Sequence, residues 1–141
     1  MPLRVLLDTN IVRAGFVSAA GASRLLLQAV LTGEVIAVAS TALMLQYEDV
    51  LLRPETLHRT GIAAQDALAF LDGLCAVCQP VTVRVCWRPQ SPDSGDDLVI
   101  DAAVNGLADT IVTFNLRDLR APAARFGMAA EPPANTLRRL R

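Results

Sequence analysis

The chain has 141 residues, 52% of them hydrophobic, which is enough to build a full core and too apolar for disorder. Its formal net charge of −1 excludes the global basic field that marks many nucleic-acid binders. All 13 basic side chains are arginine, so mechanisms that need a lysine are excluded too.

The apolar run Leu3-Arg4-Val5-Leu6-Leu7 opens the chain and predicts a buried strand over about 3–8, ending at Asp8-Thr9-Asn10. A helix follows over about 22–32, carrying Leu25, Leu26, Ala29 and Val30. A second strand over 35–39 stops at Ser40, a good N-cap for a helix over about 41–53, which Pro54 ends. A helix over about 63–77 precedes an alternating strand over 81–85. Residues 88–95, rich in proline and serine, read as a loop. A helix over about 96–107, a strand over 110–113, a short strand near 128–130 and a terminal helix over about 133–140 complete the order. Strands alternating with helices predict a parallel sheet covered on both faces. Residues 1–141 show no repeat and no linker, and one domain is expected. No apolar run approaches the roughly 18 residues of a membrane helix, and the start lacks a signal-peptide pattern. A cytoplasmic protein without membrane contact is expected.

The acidic residues carry the chemistry. Ligands bind at the carboxyl ends of strands in open α/β sheets, and Asp8 sits at such an end. A carboxylate at the edge of a core is costly unless a cation or hydrogen-bond donors compensate it. The helical neighbours of Glu48 are Met44, Leu45, Leu51 and Leu52, so Glu48 is expected to turn inward or into a cleft. Asp49, beside Gln46 and Arg53, is expected to be solvated. In Asp93-Ser94-Gly95-Asp96-Asp97, Ser94 can cap a helix with Asp97 as its partner, and negative charge at a helix start is favoured by about 0.3–1 kcal/mol. Asp101 does not follow from capping, because Asp97 and Asp101 are like charges one turn apart, a cost of about 0.2–0.5 kcal/mol that a shared cation would reverse. Thr113 and Asn115 end the strand over 110–113, although Asn115 is also an ordinary turn residue.

Carboxylate oxygens without histidine or cysteine suit Mg²⁺ or Mn²⁺, which can activate water and offset the charge of an in-line phosphoryl displacement. His58 is the single histidine, which excludes two-histidine hydrolysis, and no G-x-S-x-G supports a serine triad. Cys75-Ala-Val-Cys78 has no second pair, so both cysteines are expected to be buried helix residues rather than zinc ligands. Arg13, Arg88, Arg117 and Arg120 lie near the acidic strand ends in chain position and could contact phosphates.

Leu6-Leu7-Asp8-Thr9-Asn10, Glu48 before Val50-Leu51, the Asp96-Asp97 helix start and Val112-Thr113-Phe114-Asn115 occur in the order found in PIN domains. The chain resembles that family over essentially its whole length, and it is closest to the toxin branch similar to the VapC ribonucleases. The resemblance implies an α/β fold, a three-layer α/β/α sandwich with a central parallel sheet of four to five strands. It also implies an endoribonuclease dependent on Mg²⁺ or Mn²⁺, dimeric and held in check by a cognate antitoxin. Carried over, Asp8, Glu48 and one of Asp96 or Asp97 are metal ligands and catalytic residues. Counting back from Asp101, where the branch usually has Glu, favours Asp96, while the spacing to Thr113 favours Asp97. Asp101 is a further candidate ligand, and Thr9, Asn10, Thr113, Asp118 and Arg117 would support the site or touch substrate. Asn115 departs from the pattern, since PIN domains often carry Asp there; Asp101 or Asp118 could compensate.

A receiver domain would need a late-strand lysine, and a haloacid-dehalogenase phosphatase would need a second Asp where Asn10 stands. The alternative that Asn115 supports is a degenerate PIN fold that binds RNA or protein without cutting.

Overall fold

The computed structural model describes residues 2–86 and 94–140. In chain order its elements are β1 (Arg4–Leu7), α1 (Thr9–Val17), α2 (Ala22–Leu31), β2 (Ile36–Ser40), α3 (Thr41–Leu51), α4 (Pro54–Thr60) and α5 (Ala64–Val77). Then follow β3 (Gln79–Val81), α6 (Ser94–Asn105), β4 (Thr110–Val112), α7 (Leu116–Arg125), β5 (Ala129–Glu131) and α8 (Pro133–Arg139).

The five strands form one sheet in the order β3-β2-β1-β4-β5, and every neighbouring pair is parallel. Helices flank it, giving the expected three-layer α/β/α architecture. The central strand β1 pairs Val5 with Ala37 on one side and with Thr110 on the other. Both faces of β1 are covered, so Val5, Leu6 and Leu7 are all buried, which is why this strand reads as an unbroken apolar run rather than an alternating one. The chain builds β2 and β3 on one side of β1, then crosses over to build β4 and β5 on the other. The reversal leaves a switch point between β1 and β4, where the crevice of a parallel α/β sheet opens.

Three helices were not expected from the sequence. Asp8 caps α1, whose Ile11, Val12, Gly15 and Phe16 are buried at helical spacing. Pro54 does stop α3, but it also starts α4 at the first helical position, where its missing N–H costs nothing. The third, α7, contains Pro122 and buries Leu119, Pro122 and Ala123 beneath a largely charged surface. The expected strand over 81–85 is corrected to Gln79–Val81. It lies at the sheet edge, the place that tolerates Pro80. Residues 84 and 85 instead donate their backbone N–H groups to Asn105 Oδ1, at 3.0 and 3.3 Å. The loop expected over 88–95 falls largely outside the described residues, as do Arg88, Asp93 and the side chain of Ser94. Cys75 is exposed rather than buried, and Cys78 is partly buried at the end of α5. No single described helix is long and apolar enough to cross a membrane.

Candidate active site

At the β1 and β4 carboxyl ends, the backbone N–H of Asp8 donates to the Val112 carbonyl at 2.9 Å, so the ladder runs one residue past β1. This fixes Asp8 against Thr113, and the Thr113 hydroxyl donates to Asp8 Oδ2 at 2.7 Å. The other carboxylate oxygen, Oδ1, accepts from the Thr9 backbone N–H at 2.8 Å and so caps α1. Asp8 is only 8% exposed and Thr113 is fully buried. Two donors and the positive end of a helix hold the carboxylate at the rim of the core.

Asp8 forms the floor of a cleft of about 480 Å³ lined by Thr9, Asn10 and Arg13 from α1, Gln46, Asp49 and Val50 from α3, Arg53, Asp96 and Asn115. Asp96, in the first turn of α6, brings a second carboxylate, and Asn115, at the start of α7, lies beside it. The Asn115 amide donates to Asp96 Oδ2 at 3.4 Å and to Asp118 Oδ2 at 3.3 Å, and its backbone N–H donates to the Thr113 hydroxyl at 2.8 Å. The amide thus bridges two carboxylates with a neutral donor. Asp97 and Asp101 are buried on α6 without lining the cleft, so of the two candidate positions it is Asp96 that faces Asp8. Arg117 and Arg120 are exposed and Asp118 is half-buried, and none of the three lines the cleft.

Glu48, expected to turn inward or into a cleft, is exposed and lines a cleft against α5, not the Asp8 cleft. Tyr47 is the buried residue of this turn, and its hydroxyl donates to the Leu7 carbonyl, pinning α3 to the end of β1. Successive helical residues turn by about 100°, so Gln46 and Glu48 flank Tyr47 on opposite sides. Gln46 faces the cleft, where its Oε1 accepts from the Thr9 hydroxyl at 3.3 Å. Glu48 is exposed beside Thr41, Met44 and Leu45, facing Leu71, Asp72 and Cys75 of α5. Asp49 is exposed as expected, yet it lines the cleft and pairs with Arg53 at 3.1 Å. Gln46, Asp49 and Val50 therefore form one stripe of α3 at i, i+3 and i+4, and Arg53, just past the helix, lines the same cleft. The apolar neighbours of Glu48 do not mark the buried flank of α3, since Leu45 is exposed and Met44 only partly buried. His58 is exposed in the last turn of α4 and takes no part.

Burial holds the Tyr47 phenol well above its usual range, with smaller contributions from nearby Cys78 and Asp8. The Cys78 thiol is pushed up to about 12, by burial first and then by Cys75.

A family model described as PIN domain matches residues 4–117, which include every cleft residue named above. The chain belongs to the PIN domain family. PIN domains are generally nucleases and typically use divalent metal ions, so this PIN domain is assigned to the hydrolases at that coarse level. A search of curated proteins found no match.

The donor set fits a hard cation within limits. Among the described residues no three His, Cys, Asp or Glu side chains gather as a metal group. Mg²⁺ needs only one or two carboxylates, because it keeps waters and takes substrate phosphate oxygens for the remainder. Asp8 and Asp96 supply two. Asn10, on the cleft wall, keeps a buried Oδ1 with no hydrogen-bond partner among the described residues, an oxygen suited to the same ion or to a water on it.

Proposed function

We propose that this PIN domain is an endoribonuclease dependent on Mg²⁺ or Mn²⁺ that hydrolyses RNA phosphodiester bonds in the Asp8 cleft. The observation that carries the reading is the meeting of Asp8 and Asp96 in one cleft at the β1/β4 switch point. Asp8 and Asp96 would hold the ion, with Asn10 and Gln46 as neutral oxygen donors to it or to its waters and Asn115 steadying Asp96 through its amide N–H. Once bound, a divalent ion polarises a phosphoryl oxygen and lowers the pKa of a water, which suits an in-line displacement. The chain's own groups set the stage for it. Thr113 and the Thr9 N–H hold the Asp8 carboxylate in place, one donor to each oxygen, and the Asn115 amide donates to Asp96.

The wider role we propose is that of the toxin in a type II toxin-antitoxin pair. The chain would act in the cytoplasm as a single nuclease domain over 1–141, as a homodimer, silenced by a cognate antitoxin protein. A small antitoxin-like open reading frame beside the gene would support this role.

A second reading, a PIN fold that binds RNA or protein without cutting, draws on the neutral amides Gln46 and Asn115 and on the absence of a three-acid group among the described residues. One assay separates the two. Purified protein with Mn²⁺ is expected to cleave single-stranded RNA, with activity lost in EDTA and in Asp8→Ala. A panel of RNAs left intact, with no metal binding by calorimetry, would establish the binding module instead.

A further inference from the structure

We propose that Arg13 and Arg53 form a phosphate clamp at the mouth of the cleft, and that Asp49 occupies Arg53 as a stand-in anion until RNA enters. The proposal deepens the ribonuclease reading and rests on it only in taking RNA as the polyanion.

Among the described residues the cleft lining holds three carboxylates, Asp8, Asp49 and Asp96, and two guanidinium groups, Arg13 and Arg53. Asp49 does not join the other two acids as a metal group, because no such group of three forms among the described residues. It turns to Arg53 instead. Arg13 makes no ion pair among the described residues, although it lines the same cleft and is partly buried there. A guanidinium facing a cleft without a carboxylate partner is a ready site for a phosphate oxygen.

Placement separates these arginines from the reacting centre. Arg13 stands about 7.5 Å along α1 from Asp8 by helical rise, and Arg53 lies beyond the end of α3, as the cap of α4. They therefore reach the strand beside the bond to be cut, leaving Asp8 and Asp96 to the scissile phosphate. Because α1 and α4 pack together, Arg13 and the α4 N-cap Arg53 share one wall, while Asp96 and Asn115 come from α6 and the start of α7. RNA entering the cleft would lie along the arginine wall and present its phosphate to the carboxylates.

The Asp49–Arg53 pair is weak enough to yield. Its side chains are 72% and 50% exposed, and an exposed pair of this kind is worth about 0–1 kcal/mol. A phosphate can displace Asp49 at that cost, whereas removing the Asp49 charge both frees Arg53 and relieves repulsion of the polyanion.

The test is fluorescence anisotropy in EDTA with a labelled single-stranded RNA, titrated at several salt concentrations, with folding checked by circular dichroism. Arg13→Gln and Arg53→Gln are each expected to weaken binding and to reduce the slope of log K against log salt by about 0.7. Asp49→Asn is expected to bind more tightly, by up to about fivefold, the equivalent of the exposed-pair energy. These results support the clamp even if Mn²⁺ elicits no cleavage, an outcome that would count against the nuclease reading alone. Unchanged salt slopes in both arginine variants, an Asp49→Asn affinity no higher than wild type, or no wild-type binding to the RNA overturn it.

Discussion

Tyr47 shows how one residue decides what a site contains. Its hydroxyl reaches across to the Leu7 carbonyl, the last of β1, and so sets the rotation of α3. That rotation delivers Gln46, Asp49 and Arg53 to the cleft and sends Glu48 to the α5 side. Periodicity alone could not resolve this, because Leu45 is 60% exposed and the apolar residues of α3 spread over both flanks of Tyr47. The same neighbourhood makes the protein sensitive to alkali. Tyr47 and Cys78 both have pKa values raised in the fold, so the neutral forms are the ones the fold accommodates. Their stabilisation is fully present below about pH 9, the ordinary thiol value, and is lost as pH rises toward about 12. With no lysine in the chain, few other groups titrate in that window. Thermal melts should show Tm falling between these limits, and Cys78→Ser should make the fall shallower. An identical decline in the variant would remove Cys78 from the account.

At the scale of elements, the strands and the longer helices were legible because each carries a clear signal. β1 and β4 are apolar runs capped by polar residues, and α2 and α5 have helical spacing of Leu and Ala. What escaped were elements whose signals coincide with others. Asp8-Thr9-Asn10 reads as a strand end and a ligand cluster, and that pattern hides the second service of Asp8 as the cap of α1. Pro54 reads as a stop, though it is also a start. Asn105 ties residues 84 and 85 to the end of α6, a side-chain interaction that overrides the alternating pattern of 81–85 and has no local sequence signature. Of the acidic positions, Asp8 could be read from its strand end, while the helix start left Asp96 and Asp97 open, and only the rotation of α6 puts Asp96 on the cleft and leaves Asp97 and Asp101 off it. That rotation depends on close approach at Gly106. A Cβ there would lie 2.8 Å from both the Ala102 carbonyl oxygen and Val81 Cγ2, and 3.0 Å from Val38 Cγ2. Gly106→Ala should therefore force α6 away from β2 and β3 and lower stability by about 1–3 kcal/mol, as overpacking does. Chemical denaturation would measure it, and a variant as stable as wild type would show that the contact relaxes freely.

The whole molecule explains why a chain of net charge −1 can still be read as acting on a polyanion. Parallel topology collects strand ends at one edge, and the β1/β4 reversal opens a crevice there. Into it the fold places two carboxylates fixed by hydroxyl, amide and helix-terminal donors, with cations on one wall, so the balance of charge is local rather than global. The neutral Gln46 and Asn115 keep the carboxylate count low, which predicts modest affinity for a divalent ion, completed by substrate phosphate. We propose that Asp8 and Asp96, and not Glu48, hold the ion of this PIN domain. Isothermal titration of Mn²⁺ into wild type, Asp8→Asn, Asp96→Asn and Glu48→Gln tests it most directly. Binding should be lost or weakened at least tenfold in both aspartate variants and unchanged in Glu48→Gln; a Glu48→Gln protein that loses Mn²⁺ while Asp96→Asn retains it would contradict the account.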